Sequence, residues 1–290
     1  MKKILALLLA FTIFLVGCAS TQKPSEETMT ETNVETENNK ETSLESDNGE
    51  LEVIKVASHV SPMTDILRLL EDELNEKGYK LELLEVSDNV QANIALKNEE
   101  ADANFFQHEP FMQMFNKGND ASLVRVTPVY NALVAFYSKD YDSIDALPEG
   151  AVISIPNDVT NRARALRLLA TSGAITLSDP DSYDIEVSDI KENPKNFEFK
   201  EWDLLNLNEA YQESDLTFNY PTYIQALDLK PIVDGLLLEP EEDQVFAISL
   251  VAREDNKDSE KIKALKEAIT SDVVKDFINT KLEGHAKPAF

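Results

Sequence analysis

Apolar residues along this chain switch repeatedly between two spacings. Val53-Ile54-Lys55-Val56-Ala57 is short and β-branched, the mark of a buried strand. Met63, Ile66, Leu67, Leu70 and Leu74 then keep helical spacing. Ser61 is expected to cap that helix, Pro62 to take its first position, and Gly78 to stop it. Residues 80–86 alternate as a strand, 90–97 read as a short helix, and 101–106 as a further strand. Strand, helix, strand, helix, strand in that order predicts a parallel sheet in an α/β domain.

A second unit of the same kind follows. Residues 151–155 predict a strand, 156–161 a turn rich in capping residues, and 162–172 a helix with Ala165, Leu168, Leu169 and Ser172 on one face. Strands are expected near 184–187, 197–201 and 215–218, the last leading into a helix over 222–227. Residues 245–252 are strongly β in character, and Ser259 and Ser271 are placed to cap two final helices. The expected fold class is therefore α/β, with two lobes joined by a strand near 132–138 and a return near 245–252. Residues 51–134 with 247–290 would form the first lobe and 135–246 the second, leaving between them the cleft where a small ligand binds.

The beginning of the chain follows a different pattern. Lys2 and Lys3 precede an almost unbroken apolar run, Ile4 to Val16, too short for a membrane span of roughly 20 residues but suited to a signal-peptide core. It ends at Leu15-Val16-Gly17-Cys18, which looks like a lipobox. Residues 1–17 read as a signal peptide and Cys18 as the lipidated first residue of the mature protein. Cys18 is also the sole cysteine, which excludes disulfides within one molecule. Residues 19–50 carry no apolar periodicity, and nine acids there stand against Lys23 and Lys40. Such a stretch cannot bury enough surface to fold, so 18–50 read as a solvated tether between membrane and body.

Charge narrows the partners. With 27 basic and 54 acidic residues the net charge is -27, which repels nucleic acid and anionic lipid headgroups. His59, His108 and His285 are far apart, with no spacing that gathers a metal, and neither a serine-hydrolase elbow nor a phosphate-cradling glycine loop is present. The sequence thus offers no catalytic residue, no metal site and no cofactor site. An enzyme is not expected.

Three stretches combine residue types suited to a ligand cleft. Asp102-Ala103-Asn104-Phe105-Phe106-Gln107-His108-Glu109-Pro110-Phe111 sets aromatic rings beside amide and imidazole groups at a strand end. Its bland reading is core aromatics with His108 capping a turn. Pro156-Asn157-Asp158-Val159-Thr160-Asn161-Arg162-Ala163-Arg164-Ala165-Leu166 places amides and guanidinium groups at a helix N-terminus, where a ligand carboxylate is favoured. On the residues alone, ordinary capping with surface arginines is the reading to prefer. The third, Phe218-Asn219-Tyr220-Pro221-Thr222-Tyr223, reads on its own as a turn.

Taken together, and with Glu192-Asn193-Pro194-Lys195-Asn196 and Leu250-Val251-Ala252-Arg253-Glu254-Asp255-Asn256, these stretches closely resemble the methionine-binding lipoproteins of the NlpA family, which serve ATP-driven importers. The resemblance runs from about Val53 to Phe290. It implies a fold similar to type II periplasmic binding proteins, and an extracytoplasmic, lipid-anchored monomer that hands an amino acid to an ABC permease in the membrane. It further implies that Phe105, Phe106 and His108 pack around the ligand side chain, that Arg164 holds the carboxylate, and that Asn161 meets the main-chain polar groups. The chain departs from the family at Ser61-Pro62-Met63, at Ser87-Asp88-Asn89 and at Asn219-Tyr220-Pro221-Thr222-Tyr223. Met63, Asn89, Asn219 and Tyr220 therefore join the expected ligand contacts and open the choice of ligand to another amino acid or a methionine-containing dipeptide. The rival reading from another class is a surface lipoprotein that binds host or envelope partners and whose solute pocket has diverged.

Overall fold

The computed structural model describes residues 51–240 and 244–290. The expected signal peptide, the lipidated Cys18 and the tether fall outside them. The first elements are β1 (Glu52–Ser58), α1 (Met63–Arg68), α2 (Glu71–Glu76), β2 (Tyr79–Glu85), α3 (Asn89–Lys97), β3 (Ala103–Gln107), α4 (Glu109–Asn119) and β4 (Leu123–Ala132). Then come β5 (Ala135–Tyr137), β6 (Val152–Pro156), α5 (Val159–Thr171), β7 (Thr176–Leu177), β8 (Ile190–Glu192) and β9 (Glu198–Trp202). They are followed by α6 (Leu207–Glu213), β10 (Leu216–Asn219), α7 (Pro221–Ile224), α8 (Pro231–Asp234) and β11 (Leu237–Leu238). The chain closes with β12 (Ile248–Arg253), α9 (Glu260–Ile269), α10 (Asp272–Lys281) and β13 (Ala286–Pro288).

The strands form two main sheets. One runs β13-β4-β12-β3-β1-β2, and the other β11-β5-β10-β6-β9. β1 pairs in parallel with β2 and β3, and β6 in parallel with β9 and β10, so each sheet has a parallel half whose strands end on the same side. The chain passes between the sheets twice. It leaves β4 for β5 through Leu133 and Val134, and returns from β11 to β12 through residues 239–247. The fold is a two-lobed α/β body, each lobe one sheet with its helices, and a cleft lies where the parallel strands end.

Burial follows the spacing read from the sequence. Ile54 and Val56 in β1 and Ile66, Leu67, Leu70 and Leu74 beside it are essentially inaccessible to solvent. Gly78 ends this segment at φ 85°, a backbone conformation that glycine adopts without strain. Ser259 caps α9 by accepting from the Ile262 N–H.

Several elements differ from expectation. The helix expected to run without a break to Gly78 is interrupted at Leu69 and Leu70, whose N–H groups reach Ile66 and Leu67 three residues back at 3.1 Å. That tighter turn keeps Leu67, Leu70 and Leu74 all facing the sheet. Ser61 does not cap α1; its hydroxyl donates to Asp65 Oδ2 at 2.6 Å, and Pro62 stands at the cap position. The strand expected at 184–187 is absent, and the nearby β structure is instead the short antiparallel pair β7 and β8. Residues 132–138 break into the end of β4 and β5, because Val134 turns back to bond Ala132 O at 3.0 Å as the chain changes sheets. The stretch after His108, read from the sequence only as following a strand end, is the helix α4.

Candidate ligand-binding site

In an open α/β sheet the carboxyl ends of parallel strands border the ligand crevice. Here His59 follows β1, Asn89 starts the helix after β2, Gln107 and His108 end β3, Asn161 lies in the first turn after β6, Leu204 follows β9 and Tyr220 follows β10. All of them line one cavity of 40 Å³ between the lobes. Met63, Phe106, Phe111, Tyr130 and Ile248 supply its apolar wall from the first lobe, and Tyr223 faces them from the second. An outer chamber of 300 Å³ shares His59, Asn89, Phe111, Leu204 and Tyr223 with it, and adds the carboxylates of Asp88, Asp158 and Asp203.

Capping holds the polar groups in place. Asp88 accepts from the Gln91 N–H at 2.9 Å to start α3, and Asp158 accepts from the Asn161 N–H at 3.1 Å to start α5. Asp158 also takes both bonds of the Asn161 amide, at 3.0 and 2.9 Å, so Asn161 Oδ1 is turned toward the cleft. Gln107 is fixed by a buried amide cluster, bonding Asn93 at 2.6 and 2.9 Å and Asn104 at 2.9 Å.

His108 has two roles at once. Its Nδ1 accepts from the Phe111 N–H at 3.3 Å, capping α4, which leaves the proton on Nε2. That Nε2–H donates to Asn161 Oδ1 at 2.9 Å, a direct bond from the first lobe to the second. Burial, with Arg164 adding to it, pushes the His108 pKa down to about 3, so the ring is neutral at pH 7. The Tyr220 hydroxyl donates to the same Asn161 oxygen and accepts from Arg164 Nη1 at 3.4 Å.

Arg164 is buried, and Glu239 takes its fork: Nε donates to Oε1 at 2.8 Å and Nη2 to Oε2. Burial works against the guanidinium charge, but the Glu239 carboxylate outweighs it and holds the Arg164 pKa above its ordinary value. Phe246 stacks against Arg164, with the guanidinium carbon 4.3 Å from the ring centre. Burial also raises Asp158 and Tyr220.

Of the expected contacts, Met63, Asn89, Phe106, His108, Asn161 and Tyr220 line the central cavity, whereas Phe105, Asn219 and Arg164 do not. Phe105 and Phe106 are neighbours on β3, so their side chains point to opposite faces. Phe106 meets Phe111 edge-on at 6.0 Å in the cavity wall, while Phe105 is sealed inside the first lobe against Tyr130. Asn219 is used structurally: its Oδ1 accepts from the Tyr220 N–H at 2.8 Å and its amide donates to Asn208 at 2.9 Å. Arg164 stands behind Tyr220, its fork already occupied by Glu239. The sequence reading did not single out His59, Tyr130, Leu204, Ile248 or Glu239. Position directly after a predicted parallel strand marks His59; nothing comparable marks Glu239, one acid among 54.

Two α/β lobes, linked twice and closing a cavity at their strand ends, have the build of a solute-binding protein. The chain belongs to the NlpA lipoprotein family, whose model matches residues 54–290. It is 37% identical over 246 residues to the methionine-binding lipoprotein MetQ of Bacillus subtilis, covering 83% of this chain and 89% of that protein. Among solved structures, a YaeC-family lipoprotein of Enterococcus faecalis matches with a TM-score of 0.76 at 45% identity, over 82% of this chain and all of that one. A nutrient-binding protein of Burkholderia cenocepacia bound to methionine matches with a TM-score of 0.77 at 30% identity, over 83% of this chain and 100% of the other. No described helix is long and apolar enough to cross a membrane.

Proposed function

We propose that this protein captures methionine or a closely related amino acid outside the cytoplasm, while anchored through Cys18, and delivers it to an ABC importer. It acts as a binding component, without catalysis. The observation that carries the reading is the cavity itself, with a thioether-compatible aromatic wall on one lobe and a hydrogen-bonding row on the other. Phe106, Phe111 and Tyr130 offer aromatic surface to a ligand sulfur, contacts each contributing roughly 0.3–1.5 kcal/mol. Asn161 and Tyr220 offer the polar partners that an amino acid's main-chain groups need once water is excluded. Asp88, Asp158 and Asp203 around the outer chamber give it the sign that attracts an ammonium group.

Arg164 acts from behind. Its charge, held in place by Glu239, polarises the Tyr220 hydroxyl and supplies the positive field at the carboxylate end. The cavity of 40 Å³ holds only a few waters, so an amino acid enters with the lobes apart. Ligand contacts from both lobes then supply the differential affinity that favours closure. The reading is supported by the MetQ relatives and by the methionine-bound neighbour. A thermal-shift series against the twenty amino acids tests it. Methionine is expected to raise the melting temperature selectively, and calorimetry to give saturable one-to-one binding. No rise with any of the twenty would overturn the proposal.

A further inference from the structure

Helix α5 carries a polar stripe that runs out of the ligand cleft. Asn161, Arg164, Arg167 and Thr171 follow one another at intervals of three, three and four residues, so they share one face. Asn161 lines the central cavity and Arg164 stands at its boundary. Arg167 and Thr171 line a second cavity of 370 Å³, walled by Leu168, Pro180, Pro240 and Phe246. The Phe246 ring partitions the two spaces, touching His108 edge-on at 5.2 Å on one side and Tyr183 at 5.6 Å on the other.

Charge in the second cavity does not balance. Arg164 and Glu239, both at its wall, cancel each other. Arg167 has no acidic partner among the described residues, although the other five arginines, Arg68, Arg125, Arg162, Arg164 and Arg253, all have one. Its guanidinium stacks over Tyr183 at 4.6 Å, and its Nη1 is buried without a hydrogen bond. In a chain with twice as many acids as bases, the one arginine without an acidic partner among the described residues faces a largely apolar space of ligand size, since ligand pockets span about 300–1,000 Å³.

We propose that this second cavity is a binding site for a small organic monoanion, a carboxylate on a compact apolar body, with Arg167 as its counter-charge. The guanidinium fork suits a carboxylate, and the proline, leucine and phenylalanine walls suit an apolar body. A dianion such as phosphate fits poorly, because the site offers one uncompensated positive charge and Glu239 lies close by. The site is separate from the amino-acid cleft, sharing with it only the Arg164–Phe246 partition.

Benzoate and hexanoate are the probes, with benzamide and inorganic phosphate as controls, titrated calorimetrically into the whole mature protein and into Arg167→Gln. Saturable carboxylate binding is expected in the wild type. It should weaken about tenfold or more in Arg167→Gln and for benzamide, as loss of a charged hydrogen bond requires, with phosphate inert. Methionine affinity should be the same in both proteins. The proposal is overturned by absence of saturable binding of either carboxylate, by benzamide binding as tightly as benzoate, or by phosphate binding as tightly as benzoate. Benzoate affinity unaltered in Arg167→Gln, or benzoate displaced by methionine, overturns it equally. The benzamide comparison uses wild-type protein alone, so it decides even if the variant folds poorly.

Discussion

Removing the Glu239 carboxylate should destabilise the protein and weaken amino-acid binding together. Arg164 has only 2% of its side chain exposed and Glu239 has 21%, so the guanidinium depends on this partner far more than the carboxylate does. Breaking a buried pair from one side typically costs about 3–5 kcal/mol, because the remaining charge is left in a poorly solvating site. Two features reduce that here. Glu239 is partly wet, and the adjoining 370 Å³ cavity lets water reach the exposed guanidinium. Stacking on Phe246 at 4.3 Å also survives the change. Glu239→Ala is therefore expected to lose about 2–3 kcal/mol, just below the usual range for a fully buried pair. Urea denaturation gives this value, and calorimetry with methionine gives the affinity. The double variant Arg164→Leu/Glu239→Leu should recover most of the stability, since no charge is then buried alone, but none of the binding. A loss below about 0.5 kcal/mol in Glu239→Ala would mean the pair is effectively solvated, and Arg164 would no longer qualify as a field held by a protein partner.

Other expectations follow from single contacts. Because His108 is held neutral with a pKa of about 3 against an ordinary 6.5, the unfolded chain binds a proton across that window and the folded one does not. Its contribution to stability is intact above pH 6.5 and erodes as pH falls toward 3, by at most about 1.4 kcal/mol per unit. Comparing His108→Gln with wild type in denaturant at several pH values should show that slope removed; parallel curves would refute it. Phe106→Ala strips one ring from the cavity wall and should lower methionine affinity at least about tenfold, a figure calorimetry can check. Gly235 has no room for a side chain: an added Cβ would lie 2.5 Å from Pro231 O and 2.8 Å from Ala135 Cβ. Gly235→Ala should cost about 1–3 kcal/mol in the same denaturation experiment, and an unchanged midpoint would show that α8 shifts freely.

How much of this was legible in the residues depends on how local each feature is. Helix α5 was readable because its apolar positions, and Asp158 before them, lie within a few residues of one another. His108 at a strand end and Asn161 at a helix start were legible too, whereas Asn89 and Tyr220 entered only through the family resemblance. Helix α4 was obscured because Phe105, Phe106 and Phe111 read as one aromatic block, whereas the chain changes from strand to helix at His108. Assigning both Phe105 and Phe106 to the ligand overlooked the alternation of a strand. The fork on Arg164 was misassigned for a different reason. Its partner lies 75 residues away in an acidic chain, where no local pattern distinguishes Glu239 from its neighbours.

The two links between the lobes, Leu133–Val134 and residues 239–247, connect to β4 and β12, which are adjacent in the first sheet. The described parts of the two links run side by side, with the Glu239 N–H donating to Val134 O at 3.0 Å, so any swing of the lobes is a rotation about that shared line. Displacement grows with distance from the axis, so a slight flexing at the backbone of Leu133 becomes a wide excursion at the lips of the outer chamber. Val90 and Leu205, both exposed and on opposite lips, are where a pair of spectroscopic labels would register that excursion most strongly.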